Sequence, residues 1–297
     1  MLEWVAHHVL LGFDDILIFS NDCTDGTVEL LNALQDEGLC RQLNNPVPPN
    51  EGPQPWAYKR HKRENLGAGF DHIMVIDADE FLNIHVGDHT LAALLAALPG
   101  GPDLLCLNII NFGASGRDEW EPGCVTEQFQ MAMAEGVRQH TVAKSLVLHP
   151  DKFGRLANHH PERFLGNDPL RTVNAALTPV PVPPADYGAL WRSLRNLPAE
   201  FASHQIAQIN HYCTKTPDSY RLRQARGRGA VAGHGRHTDY YYQLRNENLR
   251  PETSIARYRD ALAIKLAQLR AIPAIQKAEA ETFEAYRISL ALLKLGL

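Results

Sequence analysis

The stretch Ile73-Met74-Val75-Ile76-Asp77-Ala78-Asp79-Glu80 decides how the chain is read. Four apolar residues in a row, three of them β-branched, fit a strand buried on both faces, and such strands belong to parallel sheets covered by helices. Three carboxylates in four residues follow at once. In open α/β sheets ligands sit beyond the carboxyl ends of the strands, and adjacent acids beside a core are costly unless something positive neutralises them. Asp77 and Asp79, one residue apart, can project to the same side of an extended segment. There they offer hard oxygen ligands to Mg²⁺ or Mn²⁺, with a diphosphate supplying others. Glu80 joins or orients them.

The same pattern recurs outward from this point. Ile16-Leu17-Ile18-Phe19 is a second wholly apolar run, followed by the turn Ser20-Asn21-Asp22-Cys23-Thr24-Asp25-Gly26 and a helix from about Thr27 to Asp36. Thr24 or Asp25 can cap that helix, so the turn reads either as a capping loop or as a ligand turn. Glu3 to Leu11 is a helix stopped at Gly12, and five prolines between Asn44 and Pro55 predict a long surface loop. A helix with a solvated basic side over 56–66, a helix over 90–98, and strands over 104–110, 141–148 and 205–210 complete the alternation. Residues 178–184 form an extended connector. This alternation predicts an α/β fold, a mostly parallel sheet flanked by helices. From Thr253 to Leu295 the spacing is helical, broken at Pro273, giving a main domain over 1–230 and a C-terminal helical tail over 231–297.

Composition removes other classes. The 297 residues are 44% hydrophobic and 21% charged, which suits a packed core. A net charge of -5 provides no global basic field and argues against nucleic acid as a partner. Five scattered cysteines show no structural zinc spacing and fit a reduced, cytoplasmic setting. No membrane-spanning run or secretory leader is apparent, and peripheral membrane association is the remaining route to a bilayer. His159-His160 does not make a zinc pair, because adjacent histidines seldom ligate one ion; these two are expected in a loop or beside an acceptor pocket. Walker loops and nucleophile elbows are absent from the sequence.

Five segments in order resemble glycosyltransferase family 2, in the branch that grades into family 92. They are Glu3-Trp4-Val5-Ala6-His7-His8 with Leu11-Gly12-Phe13-Asp14, Phe19 to Thr27, Ile76 to Leu82, Asn111 to Gly116, and Ile209 to Thr216. The similarity spans about Glu3 to Gly229 and implies a GT-A (Rossmann-like) fold. Relatives of this kind begin with a strand ending in Asn-Glu ahead of the helix at 3–11, so the resemblance also implies a start site assigned too late.

Carried over by position, the resemblance implies that Asn21, Asp22 and Asp25 line a nucleoside pocket, with Ser20 standing where many relatives carry an acid. Asp77 would contact the ribose or the metal, Asp79 would ligate Mn²⁺ or Mg²⁺, and His211 would complete the metal shell. Lys215, ahead of a helix bearing Arg221, Arg223, Arg226 and Arg228, would hold the leaving diphosphate. Inversion at the anomeric carbon requires a carboxylate base; Asp118, Glu119, Glu121 and Glu127 are available, with Glu127 and Glu119 preferred.

The expected activity is transfer of a sugar, from a UDP-sugar donor, to a glycan or lipid-linked hydroxyl acceptor. The rivals are a degenerate nucleotide-sugar binding protein and a nucleotidylyltransferase, whose Gly-rich entry loop is missing. The tail is expected to pack on the catalytic domain.

Overall fold

Strand Leu104–Asn111 has all eight residues buried, and the elements around it follow from the need to cover both its faces. The computed structural model describes residues 1–227 and 237–296; Arg228 and the expected boundary at 230/231 lie outside them. The helices are α1 (Leu2–Leu11), α2 (Thr27–Asp36), α3 (Pro53–Arg63), α4 (Leu91–Ala96), α5 (Val125–Gln128), α6 (Trp191–Leu194), α7 (Pro217–Arg226), α8 (Asp239–Arg245), α9 (Arg259–Arg270) and α10 (Pro273–Lys294). The strands are β1 (Leu17–Ser20), β2 (Arg41–Asn44), β3 (Ile73–Met74), β4 (Glu80–Ile84), β5 (Leu104–Asn111), β6 (Met131–Ala132), β7 (Ala143–Val147), β8 (Phe153–Arg155), β9 (Glu162–Phe164), β10 (Thr172–Asn174), β11 (Ala207–His211) and β12 (Arg250–Pro251). The α/β class is thus as read from the sequence. Among the described residues no helix is long and apolar enough to cross a membrane.

The chain divides into two compact units, Met1–Pro53 with Phe112–Ala132 and Tyr212–Leu297, and Gln54–Asn111 with Met133–His211. In the first, β1 and β2 pair in parallel, Leu17 opposite Arg41 through Ser20 opposite Asn44. They are joined by α2, the strand, turn and helix unit expected from the sequence. Leu30, Leu31 and Leu34 bury the inner side of α2, against which α10 packs, while α9 packs on α1. Gly12 ends α1 at φ 92°, a conformation that favours glycine, and its N–H bonds back to the last turn. Pro273 opens α10, where its missing N–H costs nothing, so the break in the helical pattern is a new helix start. Arg270 on α9 grips Glu279 on α10 through two hydrogen bonds of 2.7 and 2.8 Å. The expected tail therefore belongs to this unit's core.

In the second unit the strands run β3-β7-β5-β11-β4, with β10 also pairing with β5. β11 and β10 lie parallel to β5. β7 runs antiparallel to both β3 and β5, and β4 antiparallel to β11. The sheet is mixed where a mostly parallel one was expected, because β7 and β4 run against the other strands, each reached through a loop or tight link instead of a covering helix. The apolar run at 73–76 contributes only Ile73–Met74 as strand, and the main strand of this region is β4, whose five residues are all buried. α3 starts at Pro53, inside the expected proline loop, since proline is tolerated in a first helical turn. Thr90 caps α4 by accepting the Ala93 N–H at 3.2 Å.

Leu107 is wholly buried at the middle of β5. Leu107→Ala leaves a cavity there and is expected to lower unfolding free energy by about 2 to 5 kcal/mol in urea denaturation.

Candidate functional site

The acidic stretch forms a tight link between β3 and β4 that its own groups close from both ends. The Glu80 N–H donates to the Asp77 carbonyl at 2.9 Å, and the Asp77 N–H donates to Glu80 Oε2 at 2.8 Å. These reciprocal bonds hold the intervening Ala78-Asp79 in one conformation. Glu80 is 1% exposed and begins β4, so its charge sits in the core and requires a counter-charge within contact distance.

Lys144, on β7, supplies it. The Lys144 Nζ lies 2.8 Å from Glu80 Oε2, 3.2 Å from Asp77 Oδ2 and 2.9 Å from Asn158 Oδ1, and its side chain is fully buried. Burial alone pulls the ammonium down, but Glu80 and Asp77 outweigh it and hold Lys144 well above its ordinary value. Burial pushes the Glu80 carboxyl up, with Lys144 opposing. The other oxygen of Asp77, Oδ1, accepts from Gln54 Nε2 at 2.6 Å. Both oxygens of Asp77 are thus engaged by protein donors.

Asp79 faces another way. Its Oδ1 stands 3.7 Å from His211 Nε2. Strand register explains the meeting: His211 at the end of β11 is opposite Glu80 on β4 and opposite Asn111 on β5. His211 Nδ1 bonds to Asn111 Oδ1 at 3.0 Å, which directs the other ring nitrogen toward Asp79. A separation of 3.7 Å exceeds a hydrogen bond but is within the ~4.2 Å that two metal bonds of ~2.1 Å can span. One carboxylate oxygen and one imidazole nitrogen suit Mn²⁺, and Mg²⁺ less well. Among the described residues no three of His, Cys, Asp and Glu gather as a metal cluster, so an ion here would take its other ligands from water or from a bound molecule.

The remaining expected site residues belong to the first unit. The Asn21 amide lies 3.5 Å from Asp22 Oδ2, and Asp22 adopts φ 52°. Asp25 Oδ1 accepts the Thr27 N–H at 3.1 Å, so this carboxylate braces the start of α2. Lys215 is half-buried just before α7, also at positive φ. Glu119 pairs with Lys294 at 2.8 Å and Glu127 with Arg259 at 3.9 Å, all four side chains being half-exposed or more. Arg223 donates to the Cys213 carbonyl at 3.0 Å.

The sequence reading placed no role on Lys144, Gln54, Asn158 or Asn111, although Asn111 stands in one of the five resembling segments. Lys144 carried a readable signal: a lysine within the apolar run Ala143 to Leu148, where a buried charge demands an acid. His159 and His160 turn out to sit beside this lysine. His159 Nδ1 bonds to the Ala143 carbonyl at 3.1 Å and His160 Nδ1 to Ser145 Oγ at 2.7 Å.

These buried charges have two measurable consequences. Lys144→Met removes the buried counter-charge of Glu80 and is expected to cost about 3 to 5 kcal/mol of stability in equilibrium denaturation. Adding Glu80→Gln, which keeps the acceptor for the Asp77 N–H, should restore more than half. The second concerns pH. Burial, then Lys144, lowers His159 from 6.5 to about 4, and burial carries His160 well below its ordinary value too. A depressed histidine favours the folded state fully above the unfolded value of 6.5. That contribution declines as pH falls from 6.5 toward 4, so the slope of stability against pH in this window should be shallower in His159→Gln.

Set beside known proteins, the chain matches no family model and no curated sequence.

Proposed function

We propose that this protein is an inverting glycosyltransferase of GT-A type, similar to family 2. It would move a sugar from a nucleoside diphosphate, UDP by preference, to a glycan or lipid-linked hydroxyl. The observation that carries the reading is the opposition of Asp79 Oδ1 and His211 Nε2 at 3.7 Å beside a turn braced by a buried lysine. An oxygen and a nitrogen donor presented at a strand end, with a neighbouring carboxylate occupied by Lys144 and Gln54, form half a divalent site. A diphosphate would complete it. The five resembling segments supply the choice of reaction.

In this reading each residue has a separate task. Asp79 and His211 hold Mn²⁺ or Mg²⁺, which when bound would stabilise charge developing on the leaving diphosphate. Asp77, restrained by Lys144 and Gln54, presents a fixed acceptor edge for a ribose hydroxyl. Asn21, Asp22 and Asp25 contribute to nucleoside recognition, and Lys215 to the diphosphate. Glu127 or Glu119 takes the acceptor proton; each is exposed enough to meet a bulky acceptor. We place the protein in the cytoplasm, with membrane contact only at a surface and no role for nucleic acid.

The test is release of nucleotide from UDP-sugars by purified protein with Mn²⁺. Asp79→Ala and His211→Ala should each lower the rate about 100-fold or more, since loss of metal assistance removes several kcal/mol from transition-state stabilisation. Release with no dependence on metal or on Asp79 would refute the proposal. UDP binding without turnover would favour the degenerate binding protein instead.

A further inference from the structure

Resting on the metal reading above, we infer that Asn111 is a positioning residue that sets the tautomer of His211 and so makes Nε2 a ligand. A neutral imidazole carries one N–H, on one nitrogen or the other. With the Asn111 Oδ1 acceptor 3.0 Å from Nδ1, the proton resides there and the lone pair falls on Nε2, the atom that faces Asp79 at 3.7 Å. With the opposite tautomer, Nε2 would carry a proton in place of its lone pair and could not bind a cation on the side that faces Asp79.

Three features make Asn111 suited to this work. It is 3% exposed, so water competes little for the bond. It lies at the last position of β5, directly opposite His211 in a parallel register, which points both side chains to one face of the sheet. Its own backbone N–H donates to His140 Nε2 at 3.3 Å, and His140 is buried. The amide is therefore held from behind while its side chain holds the histidine in front. Carboxamide, carboxylate or carbonyl partners of this kind orient metal-bound histidines generally, and their loss commonly weakens metal affinity by about 10- to 100-fold.

The direct measurement is the ¹⁵N shift pattern of His211 in the metal-free protein at pH 8, which reports which nitrogen bears the proton. Wild type should show the Nδ1–H form. Asn111→Leu removes the acceptor at similar volume and should shift His211 toward Nε2–H, whereas Asn111→Asp retains an acceptor and the Nδ1–H form. In parallel, Mn²⁺ binding in the presence of UDP, read from the free-ion EPR signal, should weaken about 10- to 100-fold in Asn111→Leu and stay near wild type in Asn111→Asp.

Wild-type His211 in the Nε2–H form would overturn the inference with no variant needed. So would Asn111→Leu with unchanged Mn²⁺ affinity, whatever its tautomer. Asp79→Ala serves as the reference. If that variant binds Mn²⁺ as tightly as wild type, the metal site itself is wrong, while the tautomer measurement still judges Asn111.

Discussion

The contact between Lys144 and Glu80 is the constraint on which the candidate site depends. A carboxylate and an ammonium, both removed from water, are each costly alone, and their attraction offsets that cost only when the geometry and the surrounding hydrogen bonds are complete. Here Asn158 and Asp77 accept from the same ammonium, and the Asp77 N–H donates back to Glu80. The pair therefore does more than neutralise charge. It ties β7 to the link between β3 and β4, and it sets where β4 begins. Because β4 starts at Glu80, its register against β11 brings His211 opposite, and Asp79, one residue earlier, is left facing the histidine ring.

Carboxylates elsewhere in the chain show how different that outcome is. Glu3 caps α5 by accepting the Val125 and Thr126 N–H groups at 2.7 and 3.0 Å. Asp103 accepts from Lys152 and from the Arg171 N–H. Asp25 braces α2. These acids have structural partners that account for their placement. Asp79 meets His211 Nε2 at 3.7 Å, and the pairing of a carboxylate oxygen with an imidazole nitrogen makes it a candidate ligand.

Much of the framework was legible in the sequence. Apolar runs located β1, β5, β7 and β11 to within a few residues, Gly12 marked the end of α1, and Pro273 marked a helix boundary. The neutralising charge required beside Asp77 to Glu80 was also foreseeable, though not its source, because pairing residues 67 positions apart depends on strand order that local pattern does not encode. β4 was hidden for a related reason. Its first residue is an acid and Asn83 lies within it, so local pattern did not mark it as a strand; Lys144 and the flanking strand supply its burial and register. The direction of β7 and β4 likewise rests on long-range pairing, and the proline stretch before α3 concealed a helix start because proline signals both a break and a first turn.

The central claim is that Asp79 and His211 share one divalent ion. Anomalous scattering from a crystal grown with Mn²⁺ and UDP tests it most directly. The account predicts a single manganese peak within bonding distance of both Asp79 Oδ1 and His211 Nε2. A peak bound elsewhere, or none at this pair with UDP in place, would contradict it.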